Sequence, residues 1–330
     1  MSLKSFERWG RKALEAPLRK ALLSGVEGPL PTSPERILVV RADNRLGNLV
    51  MLTSLLNPLR ERFPGAEVSV LVSTVFCRIL EGQGWKLVPV PKKTMARRPW
   101  MLFDLVGRLR SMEFDVVIDA SHPHGFSLSS AVITALTRCP ARIGSSTGAS
   151  PGWYTGSPSF MPGKDQHESR ALHAIGAVWS SWPGWKPPML SLPREPHSGS
   201  IGIHPGGKGD KAVSPELLQR VVKGCAGIAP VEVFWGSSGE ELTADRLAEY
   251  GGVKMPNMGL QEFARKVSAL SVFICPDSGP MHVAAAMGVP VVAIFQKDNA
   301  CRFGPMSPLS VALLKPDSDE VVRSVTRLLR

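Results

Sequence analysis

The chain has 330 residues and a formal net charge of +11, with 43% hydrophobic and 20% charged residues. At about 150 residues per domain it has material for roughly two cores, and the balance excludes long disorder, collagen-like repetition and a membrane-spanning bundle. Residues 1–24 carry six Lys and Arg against two Glu, and residues 86–110 carry seven against one Asp, so an anionic partner is expected on the first third of the chain, although each segment alone also suits a solvated face.

From the N-terminus, Leu3, Phe6, Trp9, Ala13, Leu14, Leu18, Ala21 and Leu22 recur at steps of three and four between basic residues. That spacing predicts a basic amphipathic helix, suited either to an anionic membrane surface or to the protein's own body. Pro17 is expected to kink or interrupt it. After a turn-rich stretch, short β-branched runs alternate with helical periods. Strands are predicted at 36–41, 68–72, 87–90, 115–119 and 141–144, with helices at 49–63, 127–138 and near 167–179. Residues 181–200 are dense in Pro, Gly and Ser and read as a linker. A second alternation places strands near 201–204, 231–235, 271–275, 289–295 and 310–314 and a last helix over 319–330. Two α/β units in tandem follow, each a parallel sheet covered by helices. Their expected bounds are 1–33 for the basic helix and turn, 34–185 for the first domain, 186–199 for the linker and 200–330 for the second domain.

The five cysteines, Cys77, Cys139, Cys225, Cys275 and Cys301, are odd in number and show no C-x-x-C pair, so reduced thiols in a cytoplasmic protein are expected. The longest run free of charge, 283–295, is broken by Gly288 and Pro290 and is too short to cross a bilayer. Basic residues break up every apolar stretch at the N-terminus, so a secretory signal is not expected.

The strongest local signal is Pro276-Asp277-Ser278-Gly279-Pro280-Met281-His282, where a strand ends and a small-residue helix starts at once. Ligands of such sheets sit beyond the carboxyl ends of the strands. Gly279 permits close approach, Pro280 suits the first helical position, and the free N–H groups of a helix start can hold a phosphate. Asp277 can only accept hydrogen bonds at neutral pH and so suits sugar hydroxyls, while Ser278 adds a donor. A well-capped helix start uses the same residue types. After the first strand of this half come His204-Pro205-Gly206-Gly207-Lys208-Gly209-Asp210-Lys211, a glycine turn with nearby cations but without Walker A spacing. Glu240, in Trp235-Gly-Ser-Ser-Gly-Glu240, is placed to accept from ribose hydroxyls, or simply to favour a helix start. In the first half, Arg41-Ala-Asp43-Asn-Arg45-Leu-Gly47-Asn48 joins a strand to an apolar helix. It carries more polar groups than a turn needs, and is expected to face the second domain's site across a cleft.

Together these residues resemble glycosyltransferase family 9, the ADP-heptose:lipopolysaccharide heptosyltransferases, from Arg36 to Arg330. The carrying pieces are Asp277-Ser-Gly-Pro-Met-His282, Ala284-Ala-Ala-Met-Gly-Val-Pro-Val-Val-Ala-Ile-Phe295 and Phe303-Gly-Pro305. Residues 60–72, 115–119 and 141–144, Lys211 and the 235–240 element support them. The resemblance implies a GT-B fold of class α/β, two Rossmann-like domains facing across a cleft, with the donor nucleotide-sugar in the second and the acceptor in the first. It implies Asp277 on the donor sugar, Ser278 and Gly279 on the pyrophosphate, Lys211 on a phosphate and Glu240 on the nucleoside. Gly206, Gly207, Pro280, Met281 and His282 complete the donor set. The family's usual Gly-Asp, with the Asp as general base, is here Gly47-Asn48, and an amide takes no proton at neutral pH. Asp43 is the substitute candidate, then His122 and His124. A metal pair at those histidines is a lesser reading, since a lone H-x-H supplies too few ligands.

The reaction expected from the resemblance is an inverting glycosyl transfer from an ADP-sugar, with no metal and no cofactor apart from the nucleotide-sugar substrate. Charge on the leaving diphosphate would be met by the helix start and Lys211. The alternative is a GT-B protein that binds nucleotide-sugar or glycolipid without turnover, motivated by Asn48. Expected partners are the nucleotide-sugar and an anionic glycolipid acceptor of the lipopolysaccharide-core type, met by Arg41, Arg45, Lys92, Lys93, Arg97 and Arg98. A membrane surface could be touched through residues 1–24, giving a cytoplasmic protein peripheral on the inner face of the inner membrane. Nucleic acid is not expected, because the charge lacks interleaved exposed aromatics. The D-x-D of Asp317 and Asp319 opens the final helix and reads as a cap.

Overall fold

The computed structural model describes residues 15–98, 100–121, 123–145, 152–159, 161–163 and 165–330. The chain forms two compact units. Unit 1 comprises Met1–Asn44, Ser54–Lys164 and Glu168–Trp185, and unit 2 comprises Arg45–Thr53, Asp165–His167 and Lys186–Arg330.

In unit 1 five parallel strands, β1 (Arg36–Arg41), β2 (Glu67–Ser73), β3 (Lys86–Val90), β4 (Val116–Asp119) and β5 (Ala141–Gly144), run in the order β3-β2-β1-β4-β5. After its first residue β1 is buried throughout, as expected of a strand covered on both faces. The order reverses between β1 and β4, so the loops after those two strands diverge and leave a crevice at their carboxyl ends. Helices α1 (15–23), α2 (Leu46–Arg62), α3 (Lys92–Arg97), α4 (Met101–Ser111), α5 (Leu128–Leu136) and α6 (Glu168–Ala174) lie between or beside the strands, with 3-10 turns at Cys77–Leu80 and Ile175–Val178. The first two turns of α2 group with unit 2.

The described part of the N-terminal helix settles between its two expected surroundings. Pro17 lies inside α1. Leu18, Leu22 and Leu23 pack with Phe126, Ala131, Ala135 and Trp153, and Glu15 accepts a hydrogen bond from the Trp153 indole at 3.2 Å. In 15–23, then, Leu18, Leu22 and Leu23 pack on the protein's own body. Residues 1–14 lie outside the described residues.

Unit 2 has six parallel strands, β6 (Ile201–Ile203), β7 (Val231–Val233), β8 (Gly252–Lys254), β9 (Val272–Pro276), β10 (Val291–Phe295) and β11 (Val311–Leu314), in the order β11-β10-β9-β6-β7-β8. This is the doubly wound dinucleotide-fold order, with its reversal between β6 and β9. The connecting helices are α7 (Pro215–Ala226), α8 (Ser238–Ala248), α9 (Leu260–Val267), α10 (Gly279–Ala286), α11 (Ala300–Phe303) and α12 (Ser318–Leu328). The apolar faces of α7 and α12 close over the sheet: Leu218, Val221, Val222, Val321 and Val325 share a cluster with Ile203, Val233, Ile274 and Ile294. Asp317 caps α12 by accepting from the Glu320 amide at 2.8 Å, the cap read from D-x-D. β8 was not expected. It is an edge strand with no fully buried residue, so it lacks the apolar signature that marks central strands.

Residues 186–199 have no regular secondary structure, yet they are fastened along unit 2. Leu190 is buried and its amide donates to Ala286 O at 3.1 Å, the Glu195 amide donates to Ser268 Oγ at 3.0 Å, and the Ser198 amide to Ala269 O at 2.7 Å.

Candidate functional site

The carboxyl ends of β6 and β9 lie side by side, Ile203 opposite Ile274, and each continues into a loop of chemically active residues. After β9 the chain passes through Asp277 and Ser278 into α10. Ser278, the N-cap, is extended at φ −151° and ψ 172° and its side chain makes no cap hydrogen bond. Its hydroxyl instead lies 3.0 Å from the Cys275 thiol, which burial pushes up to about 12 and keeps protonated. Ser278 gives no side-chain cap, Pro280 has no N–H and the Met281 amide donates to the Cys275 sulfur, so the Gly279 amide is the donor of the first turn suited to an acceptor brought from outside. Pro280 takes the second helical position, one later than expected.

After β6 the chain turns at Gly206 and Gly207 into a 3-10 turn at Gly209–Lys211. Gly207 has φ +110°, and a Cβ there would meet Lys211 O at 2.7 Å and Pro276 Cβ at 3.1 Å. The turn therefore needs glycine for both its backbone angle and its contact with the β9 end. It delivers Lys211 Nζ to 2.6 Å from Asp277 Oδ2; the lysine side chain is 41% exposed and the aspartate 6%. This ion pair ties the two loops together and cancels the negative charge that would otherwise repel a phosphate from the start of α10. Lys297, beyond β10, pairs with Asp210 of the same turn.

Two neutral histidines shape these loops. His204 Nδ1 accepts from the Gly206 amide at 2.9 Å. Burial lowers its pKa to about 4, opposed in part by the charge of Glu240. Glu240 in turn accepts from the Gly236 amide at 3.0 Å, and its carboxylate lies against Gly206. His282, on α10, is driven to about 3 by burial, then by His167 and Lys211. Its ring stands over Gly47, where a Cβ would come within 2.4 Å, and Gly279 lies close to the Leu46 side chain, a Cβ there being 2.8 Å from Leu46 Cβ. The starts of α2 and α10 thus approach through two glycines. The Met281 and His282 side chains are buried.

In unit 1 the loop after β1 holds Asp43, 29% exposed, with its Oδ2 accepting from Arg41 Nε at 2.7 Å. Arg41 differs from expectation. It is 2% exposed and also donates to the Ala120 carbonyl, so it positions Asp43 from inside the unit and is no surface cation for an acceptor. Arg45 is exposed just before α2, and Asn48 is the third residue of that helix. His124 lies 3.9 Å from Glu168, both side chains nearly buried; His122 lies outside the described residues. Beyond β4 a set that the motifs did not single out gathers on Asp119, which accepts from the Tyr154 hydroxyl at 2.6 Å and from the Ser121 amide and hydroxyl. Burial first, then Asp119, raises the Tyr154 pKa and keeps its proton in that bond. The available signal was Asp119's place at the end of a strand beside the reversal. Lys92, Arg97 and Arg98 are exposed on and after α3, and Lys93 belongs to the same helix. Among the described residues no group of three or more His, Cys, Asp or Glu is arranged to hold a metal ion, and no helix is long and apolar enough to cross a membrane.

Residues 222–326 match the model of glycosyltransferase family 9 (heptosyltransferase). No curated protein matches the chain. Among solved structures, the chain is similar to the Escherichia coli heptosyltransferase WaaC with ADP, at 18% identity and TM-score 0.73 over 89% of this chain and 99% of that one. It is similar to E. coli ADP-heptose lipopolysaccharide heptosyltransferase II, at 19% identity and TM-score 0.72 over 89% and 98%. A family 9 glycosyltransferase from Veillonella parvula aligns at 17% identity and TM-score 0.76 over 92% and 99%. These likenesses establish the GT-B architecture, two Rossmann-like units each built on a parallel sheet.

Proposed function

From a GT-B, family 9 heptosyltransferase-like chain, we propose an inverting transfer of heptose or a related sugar from an ADP-sugar to an anionic glycolipid of the lipopolysaccharide-core type. The observation that carries this reading is the Lys211–Asp277 pair at the start of α10, which has no side-chain cap: a cation suited to a phosphate beside a carboxylate suited to sugar hydroxyls. The similar E. coli enzyme holds ADP, and in another structure an ADP-fluoroheptose, which supports the same donor class here.

In the proposed reaction Asp43, aligned by Arg41, takes the proton of the acceptor hydroxyl. That oxygen forms a bond to the anomeric carbon while the bond to the diphosphate oxygen breaks. The charge that develops on the departing ADP is met by the Gly279 amide at the start of α10 and by Lys211, donors fixed before the reaction starts. Asp277 accepts from sugar hydroxyls and Glu240 from the nucleoside. Charge on the acceptor is met by Arg45 and the α3 cations. In this reading no step requires a metal or a further cofactor, and the enzyme works at the cytoplasmic face of the inner membrane.

The test is release of ADP from ADP-heptose with a truncated core acceptor, beside a calorimetric panel of ADP, UDP, GDP and CDP. Preferential ADP binding with turnover is expected. Preference for another nucleotide would overturn the donor class, and binding without turnover would leave the non-catalytic alternative that Asn48 suggests.

A further inference from the structure

The buried polar set on Asp119 takes no part in the steps proposed above, yet its bonds lead to the candidate base. Parallel pairing sets Val40 opposite Asp119, and the Ala120 amide donates to Val40 O at 3.0 Å. The last residue of β1, Arg41, therefore stands beside Ala120. A guanidinium as buried as that of Arg41 needs acceptors for its N–H groups. It finds the Ala120 carbonyl for Nη1 and Asp43 Oδ2, at 2.7 Å, for Nε. Ala120 is itself held in place by its neighbours. Asp119 Oδ1 accepts from the Ser121 amide at 3.0 Å and from the Ser121 hydroxyl, a local turn closed around Ala120. Asp119 Oδ2 accepts from the Tyr154 hydroxyl at 2.6 Å. Tyr154 comes from a segment fastened to β5, since the Thr155 and Gly156 amides donate to Arg142 O at 2.8 and 3.0 Å. Gly144 gives its ring passage, because a Cβ there would meet the ring at 2.6 Å. Every link in this chain of bonds lies within unit 1.

We propose that Tyr154 and Asp119 are positioning residues for the base: their bond fixes the turn at Ala120, the Ala120 carbonyl fixes the Arg41 guanidinium, and Arg41 sets the direction of the Asp43 carboxylate. The inference rests on the proposed role of Asp43 and adds what that role requires. A general base must hold its oxygen within hydrogen-bond reach of the proton it takes, and misplacement by about 1 Å costs much of the rate. Asp43 lies in a loop and is 29% exposed, so its direction depends on the partner that holds it. An arginine side chain carries much rotamer entropy of its own and would pass that freedom on. Anchored on the carbonyl of a closed turn, it does not. Asn48 at the start of α2 cannot accept a proton, so a base displaced to the β1 loop needs this second support, drawn from β4 and from the segment beside β5.

A double-mutant cycle in the full chain tests it, with Tyr154→Phe and Asp43→Asn made singly and together and turnover read from ADP-heptose and the truncated core acceptor. Tyr154→Phe keeps the ring against Gly144 and removes only the hydroxyl. Its kcat is expected to fall about tenfold, with both KM values and ADP affinity within about twofold of the unaltered chain. In the Asp43→Asn background the same substitution should change the rate by less than about twofold, because no base is left to direct. An unchanged kcat in Tyr154→Phe overturns the proposal. So does an equal loss in both backgrounds, the mark of a purely structural role. Full activity of Asp43→Asn would instead remove the reading of Asp43 on which the proposal rests. A measurement without turnover separates the two: the Arg41 Nε–H, followed by NMR, should exchange with solvent about tenfold faster in Tyr154→Phe, and unchanged exchange overturns the relay whatever the activity. If Tyr154→Phe melts early, Ser121→Ala, which loosens the same turn from its other side, carries the same expectations and the same refutations.

Discussion

At the scale of single residues, the candidate donor site depends on how Lys211 and Asp277 share charge. Lys211→Ala removes the cation proposed to meet a phosphate and leaves a nearly buried carboxylate without this partner, so two readouts are expected to move. ADP affinity, measured by calorimetry, should drop about tenfold or more, as for loss of a charge-assisted bond, and the melting temperature should fall. Lys211→Arg should restore the melting temperature more fully than the affinity, because a guanidinium can pair with Asp277 without reproducing a point charge at the phosphate. Asp43→Asn is expected to lower kcat by at least a hundredfold while ADP binding stays within twofold, in keeping with the loss of a general base; full activity would move the base elsewhere. The buried histidines give a pH prediction. The pKa values of His204 and His282 are depressed to about 4 and about 3 from an ordinary value near 6.5. As pH falls below about 6.5 the unfolded chain takes up protons that the folded chain refuses, so folding loses stability progressively toward pH 4 and below. Melting curves from pH 7.5 to 4.5 should show this decline, and His204→Asn, whose amide oxygen can still accept from Gly206, should make it shallower.

At the scale of elements, α10 and α12 start in opposite ways. Asp317 caps α12 through the Glu320 amide, and its replacement by alanine should cost about 1 kcal/mol, read from denaturant unfolding. Ser278 makes no such bond at the start of α10, so Ser278→Ala should change stability by less than about 0.5 kcal/mol while still weakening ADP binding. Equal losses in the two variants would mean that the start of α10 is structural and its donors are not held for a ligand. The close approach of α2 and α10 makes a second element-level claim. Gly47→Ala would set a methyl within 2.4 Å of the His282 ring. The helices must shift to admit it, at a cost of about 1–3 kcal/mol, with weaker donor binding because the α10 start moves with them.

At the scale of the whole molecule, two sheets of the same doubly wound plan each reverse strand order beside a polar loop cluster, β1 and β4 in one unit and β6 and β9 in the other. The excess positive charge is concentrated in the first unit, so salt should act unequally on the two substrates. Raising ionic strength from 0.05 to 0.5 M should increase KM for the proposed anionic acceptor several-fold, while KM for the donor, proposed to bind at the Lys211–Asp277 cluster, changes less. A donor KM as salt-sensitive as that of the acceptor would contradict this assignment.

The alternation of apolar runs and helical periods was enough to place ten of the eleven strands found among the described residues, because parallel strands buried on two faces are written as uninterrupted Val, Ile and Leu. The Asp277-Ser278-Gly279-Pro280 turn was equally legible, since it needs residue types that ordinary cores do not. β8 was not, because an exposed edge strand such as Gly252–Lys254 owes its form to the neighbour it pairs with and not to its own composition. Which polar groups meet was also decided by folding alone. Lys211 and Asp277 are 66 positions apart in the chain and become partners because β6 and β9 are adjacent, and Arg41 turns inward to hold Asp43. Local sequence dictates conformation through sterics and hydrophobic periodicity; charge pairing and exposure depend on what the rest of the chain brings within a few ångströms.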